Sequence, residues 1–166
     1  MITPKEMFLI EMNEEAQITR KMLERIPEEK VEWKPHQKSM NVIELSNHIA
    51  ELPSWVEMIL NTSELDFSKQ PYEPNDASTV KDIVSFFEDC LDRGKNRLTQ
   101  SDDNELMNSW TLRNGEIIFK SAKKWEFIRH TFCQITHHRA QLGVYLRMLE
   151  VPIPSSYGGS ADDQSF

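Results

Sequence analysis

The sequence predicts an all-α protein, a four-helix bundle with one small β-hairpin between its third and fourth helices. Three observations lead there. Apolar residues recur at steps of three and four along four separate stretches. Capping residues open three of those stretches: Thr3, Asn41 and Thr79. One strong turn dipeptide, Asn114-Gly115, lies between two short runs of strand-forming residues.

The first helix opens at Thr3-Pro4-Lys5-Glu6, which supplies a cap, a proline at the first helical position and a glutamate three residues after the cap. Met7, Phe8, Met12, Ala16, Met22, Leu23 and Ile26 follow with mostly helical spacing, and Pro27 stops it. The connector PEEKVEWKPHQKS carries one candidate for burial, Trp33. Asn41 and Glu44 form a second capping box, and the second helix is expected to reach about Leu60, with a kink or break at Pro53. NTSELDFSKQPYEPNDAS is a polar loop with two prolines. Thr79 and Asp82 start the third helix, whose apolar members include Val80, Ile83, Phe87, Leu91 and Leu98; Gly94 weakens its middle. SDDNE reads as a loop, WTLRNGEIIF as the hairpin, and the fourth helix as running from near Ser121 to Leu149. The bundle domain therefore spans 1–150. A Pro-, Gly- and Ser-rich, non-helical tail occupies 151–166.

A chain of 166 residues is long enough to bury a sizeable core. Its formal net charge of −8 repels phosphate backbones and anionic lipid, so neither nucleic acid nor membrane is expected as a partner. No apolar run approaches the roughly 20 residues of a membrane span. The opening residues lack the basic stretch and long apolar run of a signal peptide. Two cysteines, Cys90 and Cys133, make no disulfide framework, and a reducing cytoplasm is the expected location.

Two histidines interrupt the apolar stripes. Leu45, His48, Leu52, Trp55 and Ile59 share one face of the second helix; Ile128, Thr131, Ile135, His138, Leu142, Tyr145 and Leu149 share one face of the fourth. Gln134 lies one turn before His138, so both reach toward a single ion, with His48 approaching from the opposite helix. Three protein ligands leave an open position, as in a catalytic metal site. Imidazoles favour zinc, nickel, copper or iron, the first two foremost. Against this stands the plainer reading, in which each histidine is a hydrogen-bonded structural residue. His130, His137 and Gln141 lie further from the seam. Arg139 falls near the middle of the apolar face and calls for a buried ion pair. Trp33, Trp55, Trp110 and Trp125 read as core or loop anchors, and Cys133 as an inert packing residue. There is no phosphate loop, G-x-S-x-G elbow or HExxH.

The segments NVIELSNHIAEL around His48, ITHHRAQLGVYLRMLEVPIP from Ile135 to Pro154, and SSYGGSADD from Ser155 to Asp163 resemble the DinB-like family of bacterial four-helix proteins. The HHRAQ string, His137 to Gln141, is the most specific of these elements. The resemblance implies a four-helix bundle, often a homodimer, with a divalent metal on three histidines. His48 matches the ligand of the second helix and His138 the second ligand of the fourth. The first ligand of the fourth falls on Gln134, where this chain departs from the family.

The resemblance further implies a metal-dependent transferase acting on a low-molecular-weight thiol such as bacillithiol. Two alternatives stand beside it. One is metal-assisted hydrolysis, with Glu44 or Glu51 as base. The other is a non-catalytic bundle that binds a small ligand or a partner through a degraded metal site.

Overall fold

The computed structural model describes residues 2–165. Among them the chain forms α1 (Pro4–Leu23), α2 (Val42–Glu51), α3 (Ser54–Asn61), β1 (Glu64–Asp66), α4 (Val80–Gln100), α5 (Asp103–Leu106), β2 (Ser109–Asn114), β3 (Ile117–Lys123) and α6 (Lys124–Met148). The caps fall where the sequence puts them. Thr3 Oγ1 accepts from the Glu6 N–H at 3.3 Å, and Glu6 accepts from the Thr3 N–H at 2.8 Å. Asn41 and Glu44 repeat the exchange at 2.8 and 2.9 Å. Thr79 caps α4 through the Asp82 N–H at 3.1 Å. Each cap satisfies a helix-end donor and contributes about 1 kcal/mol.

α1 packs on α4 and α6, and so does the α2–α3 pair. The two therefore stand diagonally across a shared core, which holds Leu23, Val42, Ile49, Val56, Ile83, Leu98, Ile128 and Leu142. This arrangement makes α2 and α6 neighbours.

The second helical segment is two helices. Pro53 has no N–H to continue the ladder, so α2 stops at Glu51 and α3 starts at Ser54, whose hydroxyl donates to the Glu51 carbonyl at 2.7 Å. The break is where α4 comes closest. A methyl group on Gly94 would collide with the Pro53 carbonyl oxygen and stand 2.7 Å from Met12 Cε. Gly94 thus weakens α4 locally while permitting the contact. Alanine is the better helix former by about 1 kcal/mol, but overpacking against backbone costs about 1–3 kcal/mol or more. Gly94→Ala is expected to lower stability, read as a reduced urea midpoint at unchanged m-value; a raised midpoint would refute the close approach.

The all-α expectation is corrected by a three-stranded sheet. β2 and β3 form the predicted hairpin, with Gly115 at a φ of 56°. β1, from the loop that followed the second helix, adds to β2 in parallel, giving the order β1-β2-β3. Ser121 stays in β3 opposite Thr111, so α6 begins only at Lys124. SDDNE is not all loop: Asp102 caps the short α5.

Asp66 ties the sheet together. Its carboxylate accepts from the Gly115 N–H at 2.9 Å and from the Ser68 N–H and hydroxyl at 3.0 and 2.7 Å. These bonds, that of Gly115 foremost, hold its pKa at about 2, below the ordinary 3.8. A depressed folded-state pKa gives stability that is present above the unfolded value and lost as pH falls through the folded one. Asp66 should therefore contribute to an acid limb running from near pH 4 down to near pH 2. Asp66→Asn should flatten that limb in thermal melts; an unchanged limb would show the bonds to be inconsequential.

Residues 151–165 of the tail are non-helical and seated on the bundle, while position 166 lies outside the described residues. Asp162 pairs with Arg147 and accepts from the Ile153 N–H at 2.9 Å, and Asp163 accepts from the Ser155 N–H at 3.0 Å. Of the tryptophans, Trp110 is fully enclosed, donating to Thr62 Oγ1 at 2.8 Å with its ring against Phe127. Trp33 meets Tyr145 edge-on, whereas Trp125 is exposed and anchors no core. Among the described residues no helix is long and apolar enough to cross a membrane.

Candidate functional site

Because α2 and α6 are neighbours, His48 and His138 meet. Their ring centres lie 4.6 Å apart with the planes at 79°. Both rings are half-buried, so the pair sits at the rim of the core and not in its middle. Each ring is tied back through Nδ1. Glu51 Oε1 lies 2.8 Å from His48 Nδ1, and Gln141 Oε1 lies 2.9 Å from His138 Nδ1. With oxygen acceptors on both Nδ1 atoms, the protons belong there and both Nε2 lone pairs are left for a ligand. Burial lowers the pKa of His138. The hydrogen bond to Gln141 opposes that shift, and nearby His48 and His137 add to it. A neutral ring is the form that binds metal.

Gln134 is not drawn to the pair. Its amide nitrogen lies 3.2 Å from His130 Nε2, one turn back along α6. His137 meets the Gln141 amide at 3.3 Å. Among the described residues no three His, Cys, Asp or Glu side chains cluster as a metal cage. The residues brought together are thus the two imidazoles, with Gln134 one turn along α6 from His138 and held to His130 instead.

Two imidazoles sharing a tetrahedral ion at about 2.0 Å would hold their ring centres about 5 Å apart. The observed 4.6 Å is close to that value. Two neutral imidazoles are donors that suit a divalent cation, whereas the Gln134 amide is turned to His130.

Sequence reasoning missed Tyr72 and Asn47. The Tyr72 hydroxyl donates to Glu51 Oε1 at 2.6 Å and lies 3.5 Å from His48 Nδ1. Burial first, then the Glu51 carboxylate, raises its pKa above 10, so it remains a neutral donor. Asn47 is buried. It donates to the Ala77 carbonyl at 2.9 Å and accepts from the Asn75 amide at 2.5 Å, fastening the loop before α4 over α2. Its one signal in the sequence is an amide next to His48 inside an apolar helix. Together these residues wall an open cleft of about 530 Å³, lined also by Glu32, Met40, Ile43, Glu44, Pro74 and Asp76. Clefts of this size commonly hold small organic ligands.

Arg139 finds the ion pair its position requires. It lies 2.7 Å from Glu15 on α1 and donates to Thr19 Oγ1 and to the Tyr157 hydroxyl at 3.0 and 2.6 Å. Cys133 is exposed and accepts from Arg129 at 3.1 Å; it is not a packing residue.

Known proteins share this fold. The chain is similar in structure to a DinB-like protein from Bacillus subtilis, with a TM-score of 0.68, 16% identity, and 87% of this chain and 92% of that one covered. A DinB-like protein from Bacillus cereus gives 0.64 and 18% identity, over 89% of this chain and 94% of that one. A mycothiol-dependent maleylpyruvate isomerase gives 0.58 and 9% identity, over 86% of this chain and 64% of that one. These likenesses establish a shared fold. No functionally curated protein matches the chain. The model of the DinB family matches residues 1–164, nearly every residue that builds the bundle, the paired imidazoles and the tail, and the chain belongs to that family.

Proposed function

We propose that this DinB-family protein holds a divalent cation, zinc or nickel first, between His48 and His138 with Gln134 as third donor, and uses it in transfer chemistry on a low-molecular-weight thiol. The observation that carries the reading is the pair of imidazoles 4.6 Å apart, each with Nδ1 held. A bound divalent cation would supply Lewis acidity that lowers the pKa of a coordinating thiol. The chain's own residues do the rest. Glu51 fixes the tautomer and plane of His48, and Gln141 those of His138. Tyr72 holds Glu51 in place through its single O–H. The loop fastened by Asn47 forms one wall of the cleft. Support for a thiol comes from the structurally similar isomerase, which is mycothiol-dependent. A homodimer, implied by the family resemblance, belongs to the same proposal and is tested by mass in solution.

Purified protein should contain metal by elemental analysis, and His48→Ala should lose it. With a thiol panel and a halogenated electrophile, thiol should be consumed faster when metal is present. Metal-free protein that gains none on titration, or equal rates with and without metal across the panel, would reject the proposal. A second reading is a non-catalytic ligand-binding bundle, favoured by the Gln134 amide lying against His130. It expects melting unchanged by chelator. Hydrolysis has less support: Glu51 is engaged by His48 and Tyr72, and Glu44 by its capping box.

A further inference from the structure

The charges around the cleft say which substrates can enter it. Its wall has an apolar strip, Met40, Ile43, Pro74 and Ala77, and a polar rim containing Glu32, Glu44 and Asp76. No lysine or arginine lines it. Glu32 and Glu44 accept only from Asn41, at 3.0 and 2.9 Å, and among the described residues none of the three carboxylates has a Lys or Arg partner within ion-pair distance. The remaining polar lining, Asn47, Asn75 and Ser78, is neutral. The whole chain carries a net charge of −8, which adds to the same field.

We infer that the cleft beside His48 selects an amine-bearing, cationic small molecule with an apolar body, and disfavours carboxylate- and phosphate-bearing ones. This rests on the reading of the cleft as the substrate site, and it narrows the thiol or its acceptor to one whose portion in the cleft carries positive charge. The apolar strip receives the body, and the carboxylate rim attracts the ammonium. Each carboxylate is exposed, so each one's share is small. Three acting together amount to about a tenfold preference for cation over isosteric anion.

The test uses the purified chain, stripped of metal, and two probes of one shape and opposite charge: tyramine and 3-(4-hydroxyphenyl)propionate. Binding is followed by nitrogen-15 shifts and by titration. Tyramine should bind at least about tenfold more tightly, perturbing residues near Met40, His48 and Tyr72. The ratio should shrink as salt rises from about 0.02 to about 0.5 M. In the double variant Glu32→Gln, Asp76→Asn the ratio should fall severalfold. Equal affinities, tighter binding of the carboxylate, no binding of either probe, or a preference that survives the double variant would each overturn the inference. Because no metal is present, these outcomes are independent of the metal and thiol measurements, and either proposal can fail alone.

Discussion

Arg139→Met is expected to destabilise the protein by about 3–5 kcal/mol, because it leaves a buried carboxylate without its cation. Arg139 is 3% exposed and the Glu15 side chain 10%. The guanidinium also donates to the Glu15 carbonyl, Thr19 and Tyr157, so its removal strips four acceptors at once. A loss of that size is a large fraction of the 5–15 kcal/mol that holds a typical domain together. The pair itself need not be strongly stabilising, since bringing both charges out of water costs nearly what their attraction returns. The double variant Glu15→Leu, Arg139→Met should therefore recover most of the loss. Tyr157→Phe should cost less, about 1–3 kcal/mol, for the bonds it exchanges with Arg139 and Glu15. Urea unfolding of the four proteins checks all of this. If Arg139→Met costs under about 1 kcal/mol, the pair behaves as a surface salt bridge, and its burial does not matter.

Gln134→His is expected to tighten binding of zinc or nickel by about tenfold or more, since it would supply a third imidazole in place of a weak amide donor. A histidine there would lie one helical turn from His138, the spacing at which two side chains on one helix reach a common point. The present glutamine leans on His130 and gives the imidazole pair at most an amide oxygen. His48→Ala should abolish binding in both backgrounds. Calorimetric titration of the four proteins with each metal provides the comparison. An affinity unmoved by Gln134→His would mean that position 134 does not face the ion. An affinity unmoved by His48→Ala would remove the two-helix site altogether.

Local signals carried well from sequence to structure. Three capping residues, the stop at Pro53 and the Asn114-Gly115 turn lie where short-range chemistry puts them. The meeting of His48 and His138 was legible because helical periodicity placed each on an inward stripe, and only the adjacency of α2 and α6 had to be supplied. What escaped depends on partners distant in the chain. β1 is three residues long and exists through its pairing with β2, more than forty positions away. Tyr72 reaches Glu51 because a loop folds back over α2, and nothing in QPYEPND reports that. Arg139 announced a need for an acid, but Glu15 could be found only by folding α1 against α6. Gly94 read as a flaw in α4 because the Pro53 carbonyl that it accommodates lies in the break between α2 and α3, far away in the chain.

Gln134 is half-buried one turn from His138 on α6 and takes no part in the Arg139 clasp. Either glutamine codon becomes a histidine codon by a change at its third base. The form with two imidazoles and the form with three are thus neighbours in mutational space, and a lineage could cross between them in one step without passing through an unfolded intermediate.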